Sequence, residues 1–216
     1  MHHLQQRQDV LRTAQTIART HMVVGTWGNV SVRVPDQPYL LITPSGMRYD
    51  TMTIEDIVMV DWPGQTVEGK WKPSVETPTH AWIYQHRPDV NAVVHVHSPH
   101  LTAFAVARLP VPVILEETAQ VIGHEIRTAP YAICGTARLA DNVVQTLGSG
   151  VAVLLANHGM VGVGKNIEEA LRVCIIAEET ARIALLAQSL GQVHALTPKE
   201  IEKLHRGFAA YGQTKE

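Results

Sequence analysis

Cysteine is scarce in this 216-residue chain: only Cys134 and Cys174 occur, in unrelated contexts and without metal-ligand spacing. That excludes a disulfide framework and a thiolate metal cluster, and leaves reduced, partly buried thiols as the expectation. Charge of one sign is lacking too. The net charge is −2 with 18% charged residues, so there is no basic excess for nucleic acid and no polybasic tail for a membrane surface. No apolar run reaches the roughly 20 residues that cross a bilayer. The opening MHHLQQRQDV has no signal-peptide apolar stretch, so a cytosolic, cytoplasmic location is expected. Internal repeats, low-complexity segments and interdomain linkers are absent as well. Residues 1–216 are therefore expected to form a single domain around one well-filled core, with 45% hydrophobic residues to fill it.

Histidine is the abundant residue, with 12 copies. His2 and His3 sit at the terminus and receive no role. The informative group lies in Asn91-Ala-Val-Val-His-Val-His-Ser-Pro-His100. Its β-branched valines predict a short buried strand, ended by Pro99. Side chains alternate along a strand, so His95 and His97 share one face, and two imidazoles so placed can grip one metal ion. Two polar side chains on a half-exposed strand are the plain alternative. A second buried strand, Val151–Ala156, ends in Asn157-His-Gly-Met160 and is followed by Val161–Gly164. This puts His158 at a strand end beside a glycine. Three imidazoles with an open position form the pattern of a catalytic rather than a structural zinc site.

Small turns provide the second signal. In Gly25-Thr-Trp-Gly-Asn-Val-Ser-Val-Arg33, Gly28 and Asn29 precede a strand and expose N–H groups suited to an oxyanion such as phosphate, a plain tight turn being the alternative. Strand Tyr39–Ile42 runs into Thr43-Pro-Ser-Gly-Met47, where Ser45 and Gly46 make another such turn. Ser74 reads as a cap or an anion ligand. Glu76 stands at the start of a helix from Thr77 to Arg87, with Pro78 in its first turn; an ordinary first-turn acid would look the same. His80 and His86 on that helix read as packing or surface residues.

The remaining elements follow from periodicity and capping. Residues 4–22 carry apolar side chains at helical spacing. Short strands are expected at 57–61 and 66–67, a helix at 98–108, an extended segment at 129–132, and a solvated acidic spot at Glu116–Gln120. Thr136 caps a helix to Leu147, and Asn166 with Glu169 opens a long helix to Leu190, apolar enough to be buried on most faces. Thr197-Pro-Lys-Glu200 opens the last helix, through Ala210, before a polar tail containing Tyr211.

Taken together, GTWGNVSVR, ITPSGM, KPSVETPTH, VVHVHSPH, APYAICGT, NHGMVGVG and the C-terminal GFAAYGQ resemble the class II aldolase/adducin family. They come in the family's order, over nearly the whole chain, and lie closest to its L-fuculose-1-phosphate aldolases. The resemblance implies a three-layer α/β/α sandwich whose central, mainly antiparallel sheet is flanked by helices. It implies a homotetramer with active sites between subunits, and a divalent ion, usually Zn2+, on His95, His97 and His158. Glu76 would join that ion and then act as acid/base. Substrate phosphate would lie at Gly28, Asn29, Ser45, Gly46 and Ser74, and Tyr211 would reach a neighbour's site as a proton donor. The implied reaction is retro-aldol cleavage of a ketose 1-phosphate to dihydroxyacetone phosphate and a short aldehyde. Three positions depart from those aldolases: Val75 replaces a second serine, Leu115-Glu-Glu117 lacks a tyrosine, and Cys134 replaces an aromatic residue. The family's sugar-phosphate 4-epimerases, which carry aspartate at the Glu76 position, and its methylthioribulose-1-phosphate dehydratases, which share His-x-His-Ser, are the enzymatic alternatives. An adducin-like binding module is the non-enzymatic one.

Overall fold

In the computed structural model, which describes residues 2–208, one eight-stranded sheet runs in the order β4-β3-β2-β1-β5-β8-β7-β6. Its strands are β1 (Asn29–Arg33), β2 (Tyr39–Ile42), β3 (Val58–Asp61), β4 (Thr66–Glu68), β5 (Ala92–Val96), β6 (Thr128–Ala129), β7 (Ala152–Leu155) and β8 (Gly159–Gly164). Every pairing is antiparallel except that of β6 with β7. The helices are α1 (Leu4–Arg19), α2 (Thr77–His86), α3 (Pro99–Ala107), α4 (Glu116–Val121), α5 (Ala137–Leu147), α6 (Ile167–Leu190) and α7 (Pro198–Phe208).

The central strands are buried on both faces, so each face of the sheet needs a cover. Val94, Val96, Val30, Val32 and Leu154 pack with α1 and α6 on one face. The alternating Val93, Leu40, Ile42, Val153 and Val161 pack with Ala81, Ile83 and Tyr84 of α2 and Leu139 and Val143 of α5 on the other. The result is the expected helix–sheet–helix sandwich, with β5 at its centre between β1 and β8.

The caps lie where the sequence places them. Thr136 accepts from Leu139 N–H, Asn166 from Glu169 N–H, and Thr197 Oγ1 from Glu200 N–H. Two expectations need correction. Glu116–Gln120 is not merely a solvated acidic spot: both glutamates are exposed, but the stretch is helical and turns Thr118 and Ala119 inward. The long helix α6 is not buried on most faces. It covers the sheet with Ala170, Val173, Cys174, Ala177 and Ala181, while Ile175 (43%) and Leu186 (52%) face outward. A helix lying on a flat sheet can bury only one side, whatever its composition. Among the described residues, no helix is long and apolar enough to cross a membrane.

Candidate active site

The site forms where β5 ends. His95 points toward the α2 face opposite Asn29, its cross-strand partner on β1. His97 lies one residue past the strand, where its N–H donates to Met22 O at 2.9 Å. His158 sits in the turn from β7 to β8, after Asn157, whose φ of 56° is left-handed and whose Oδ1 accepts from Arg108. Two glycines let backbone close in around β5. A Cβ on Gly159 would fall 2.2 Å from Val96 O, and one on Gly28, at φ +90°, would fall 2.8 Å from His95 O. Glu76 is the N-cap residue of α2, yet its side chain makes no capping bond. Its backbone N–H is held instead by Ser74 Oγ at 3.2 Å, which leaves the carboxylate free to face the histidines.

The four side chains converge. One ligand atom from each of Glu76, His95, His97 and His158 lies within 4.8 Å of the others. His95 Nε2 is 2.8 Å from His97 Nε2 and 3.0 Å from Glu76 Oε2, and His158 Nε2 is 3.7 Å from Glu76 Oε1. The other His95 nitrogen, Nδ1, is 3.0 Å from Met160 O. A carbonyl only accepts, so Nδ1 carries the proton, and in the neutral ring Nε2 is a lone pair. That lone pair faces a carboxylate oxygen and a second imidazole nitrogen. A proton on Nε2 would relieve the crowding at His95 alone, whereas one cation at the centre satisfies all four groups. Three imidazoles and a carboxylate suit a divalent ion of the zinc type.

The electrostatics agree. Burial disfavours the Glu76 carboxylate, but the adjoining His95, then His158 and the Asn29 amide, outweigh it and hold the group well below the usual carboxylate range. Burial and the neighbouring imidazoles push His97 down to about 3 and His158 down to about 4, so both are neutral ligands near pH 7. His95 moves the other way: burial lowers it, and Glu76 more than compensates.

Beside this cluster opens a cavity of about 380 Å³ lined by Gly28, Asn29, Ser45, Gly46, Ser74, Glu76, His97 and His158. Every site residue named from the sequence thus lies here, with His95 buried behind, except Tyr211, which lies outside the described residues. The two serine turns are held side by side by a bridge between Pro44 and Pro73. Ser45 N–H donates to Lys72 O at 2.9 Å and Ser74 N–H to Thr43 O at 3.2 Å. Those two amides are therefore spent, and Ser45 and Ser74 can offer a ligand only their hydroxyls. Asn29 Nδ2 donates to Glu76 Oε2 at 2.8 Å.

Thr26, Trp27, Pro44, Val75 and Cys134 also line the cavity. Val75 and Cys134 are two of the three positions that depart from the resembled aldolases, while Thr26, Trp27 and Pro44 are given no role in the site from sequence. Trp27 lies between the two glycines of GTWGN, which was the available signal; its ring is 6.0 Å from that of His97. Cys134 comes from a loop distant in sequence, within the stretch APYAICGT. Partial desolvation and the Glu76 carboxylate push its thiol up to about 12, so it lines the site as a neutral S–H. His80, one turn into α2, is buried as a packing residue, with Nδ1 2.6 Å from Ser31 Oγ.

The sequence profile described as Class II Aldolase and Adducin N-terminal domain matches residues 8–185. The chain belongs to the class II aldolase/adducin family. Among this family, a 5-deoxy-D-ribulose 1-phosphate aldolase of Bacillus thuringiensis serovar kurstaki is 34% identical over 208 residues, 96% of this chain and 97% of that one. An L-fuculose phosphate aldolase of Escherichia coli is 37% identical over 206 residues, covering 95% and 94%. A solved L-fuculose 1-phosphate aldolase superposes with a TM-score of 0.92 at 33% identity, covering 97% of this chain and 98% of its own. The two chains therefore share one fold over 97% of this chain.

Proposed function

We propose that this class II aldolase family member cleaves a ketose 1-phosphate, of the L-fuculose-1-phosphate kind, to dihydroxyacetone phosphate and a short aldehyde. The observation that carries the reading is the meeting of the Glu76–His95–His97–His158 cluster with two hydroxyl-bearing turns in one cavity. The turns at Gly28–Asn29, Ser45–Gly46 and Ser74 take the phosphate. His95, His97 and His158, with Glu76, hold Zn2+. When bound, the ion supplies Lewis-acid stabilisation of the negative charge that cleavage leaves on the ketose oxygens.

Glu76 takes the proton from the C4 hydroxyl. The C3–C4 bond breaks, C4 becomes the aldehyde carbon, and the electron pair remains with the three-carbon fragment. A proton returned to C3 completes dihydroxyacetone phosphate. Glu76 can do this only if its carboxylate leaves the ligand set when substrate arrives. Two features are consistent with that: it has no capping duty, and its contact to His158 is long, at 3.7 Å. Tyr211 is assigned the complementary acid, delivered from an adjacent subunit, on the family resemblance alone.

We also infer a homotetramer of single-domain chains with active sites at subunit interfaces. Trp27 (65% exposed) and Val75 line the cavity as large exposed apolar side chains, and Ile133, with Ile175 and Leu186 on α6, is exposed as well, a pattern that calls for a partner surface. Sugar phosphates are charged and do not cross membranes unaided, which supports a cytoplasmic location. The test is direct: zinc-loaded protein is incubated with several ketose 1-phosphates and dihydroxyacetone phosphate release is assayed. Epimerisation of L-ribulose 5-phosphate without such release would replace this reading by the 4-epimerase one, and dehydration of methylthioribulose 1-phosphate by the dehydratase one.

A further inference from the structure

Asn29 faces two duties at once. It lines the cavity whose turns are assigned the phosphate, and its Nδ2 donates to Glu76 Oε2 at 2.8 Å. The residue is only 3% exposed, yet its Oδ1 has no hydrogen-bond partner among the described residues. Buried side-chain carbonyls are usually paired, so this carboxamide is clamped at one end only. Apart from the Glu76 bond, no hydrogen bond fixes its orientation.

An incoming dianion would find few donors in this cavity. Among the described residues no lysine or arginine lines it, and the amides of Ser45 and Ser74 are already bonded to Lys72 O and Thr43 O. Beside the Ser45 and Ser74 hydroxyls, the cavity offers the Asn29 amide, which already touches Glu76, and an N–H bonded to a phosphate oxygen is charge-assisted. We infer that Asn29 is a positioning residue that links anion binding to Glu76: phosphate draws the carboxamide away from Glu76 Oε2, and the carboxylate is thereby loosened as substrate arrives. The Glu76 carboxylate then keeps His95 at 3.0 Å, the longer contact to His158 and the Cys134 thiol. This inference rests on the phosphate assignment made above.

Linkage makes the effect reciprocal: if phosphate loosens Glu76, then removing Glu76 must tighten phosphate through Asn29. The measurement is a double-mutant cycle on metal-free protein, reading the affinity for inorganic phosphate by calorimetry in wild type, Glu76→Ala, Asn29→Ala and the double variant. Losing the carboxylate's charge strengthens phosphate binding in both backgrounds, so only the difference between backgrounds counts. The gain from Glu76→Ala is expected to be at least about fivefold larger when Asn29 is present. Equal gains in the two backgrounds overturn the inference while leaving the phosphate site standing. Failure of phosphate to bind wild type removes that site and the inference with it. Asn29→Ser takes the place of the alanine variant should the latter not fold.

Discussion

Met160 O lies 3.0 Å from Nδ1 of His95, and that single contact decides which nitrogen of a buried imidazole is free to bind a cation. Met160 is opposite Val96 in the β5–β8 register, so the sheet itself sets the tautomer. A second partner of this kind raises ligand basicity and fixes ring orientation.

One divalent ion per chain is therefore expected, on His95, His97 and His158 with Glu76 completing the set. His95→Ala or His97→Ala should abolish stoichiometric metal in elemental analysis of dialysed protein, with circular dichroism unchanged. Full occupancy in the double variant would sink the assignment.

How much of this was legible in the sequence depends on the range of the physical signal. Capping at Thr136, Asn166 and Thr197 is local, and all three helices start where their caps predict. His95 and His97 were found by strand alternation, and His158 by its place at a strand end. What stayed hidden is set by long-range partners. Arg7 reads as one polar position on an amphipathic helix, yet it is buried, donating to Ile57 O and pairing with Glu68 at 2.9 Å, 61 residues away. The N-terminus of α3 lacks a Ser98 cap; Glu178 of α6 accepts the Leu101 N–H at 3.0 Å instead. Cys134 reaches the cavity from a loop whose local sequence carries no hint of Glu76.

His80 gives a pH signature separate from the metal. Burial holds this imidazole down to about 3 in the folded chain, against an ordinary value near 6.5. The unfolded chain therefore takes up a proton that the native chain refuses. The sign follows: the contribution is intact above about pH 6.5 and is lost as pH falls through the window toward 3. The slope is up to about 1.4 kcal/mol per pH unit. Urea unfolding of wild type and His80→Gln at several pH values checks this. The variant should lose less stability between pH 6.5 and 4.5, and parallel curves would refute it.

Tyr211 lies beyond the described residues, so its test is chemical. Tyr211→Phe should lower turnover by about tenfold or more, the usual range for a lost general acid, with metal content and light-scattering mass unchanged. Wild-type cleavage rates in this variant would leave Tyr211 without a catalytic role.

Gly159 offers the sharpest steric test. It opens β8 directly after His158, and an added Cβ would stand 2.2 Å from Val96 O and 3.4 Å from the His97 Cα. The obstacle is backbone on the central strand, which no side-chain rotation relieves. Gly159→Ala must push β8 away from β5 beside His95, His97 and the His158 turn, the residues proposed to hold the metal. Overpacking of this kind costs about 1–3 kcal/mol in stability, and a displacement of even a few tenths of an ångström spreads the ligand triangle. The expected result is a protein that still folds at low temperature, unfolds at lower urea, and binds zinc at least about tenfold more weakly, as when a ligand's support is lost. Gly207→Ala, where an added Cβ meets nothing within 4 Å among the described residues, is the control: it should leave zinc affinity unchanged and, lying in α7, raise stability by at most about 1 kcal/mol. If Gly159→Ala binds zinc as tightly as wild type, the close approach of β8 to β5 is not what sets the geometry of the three histidines.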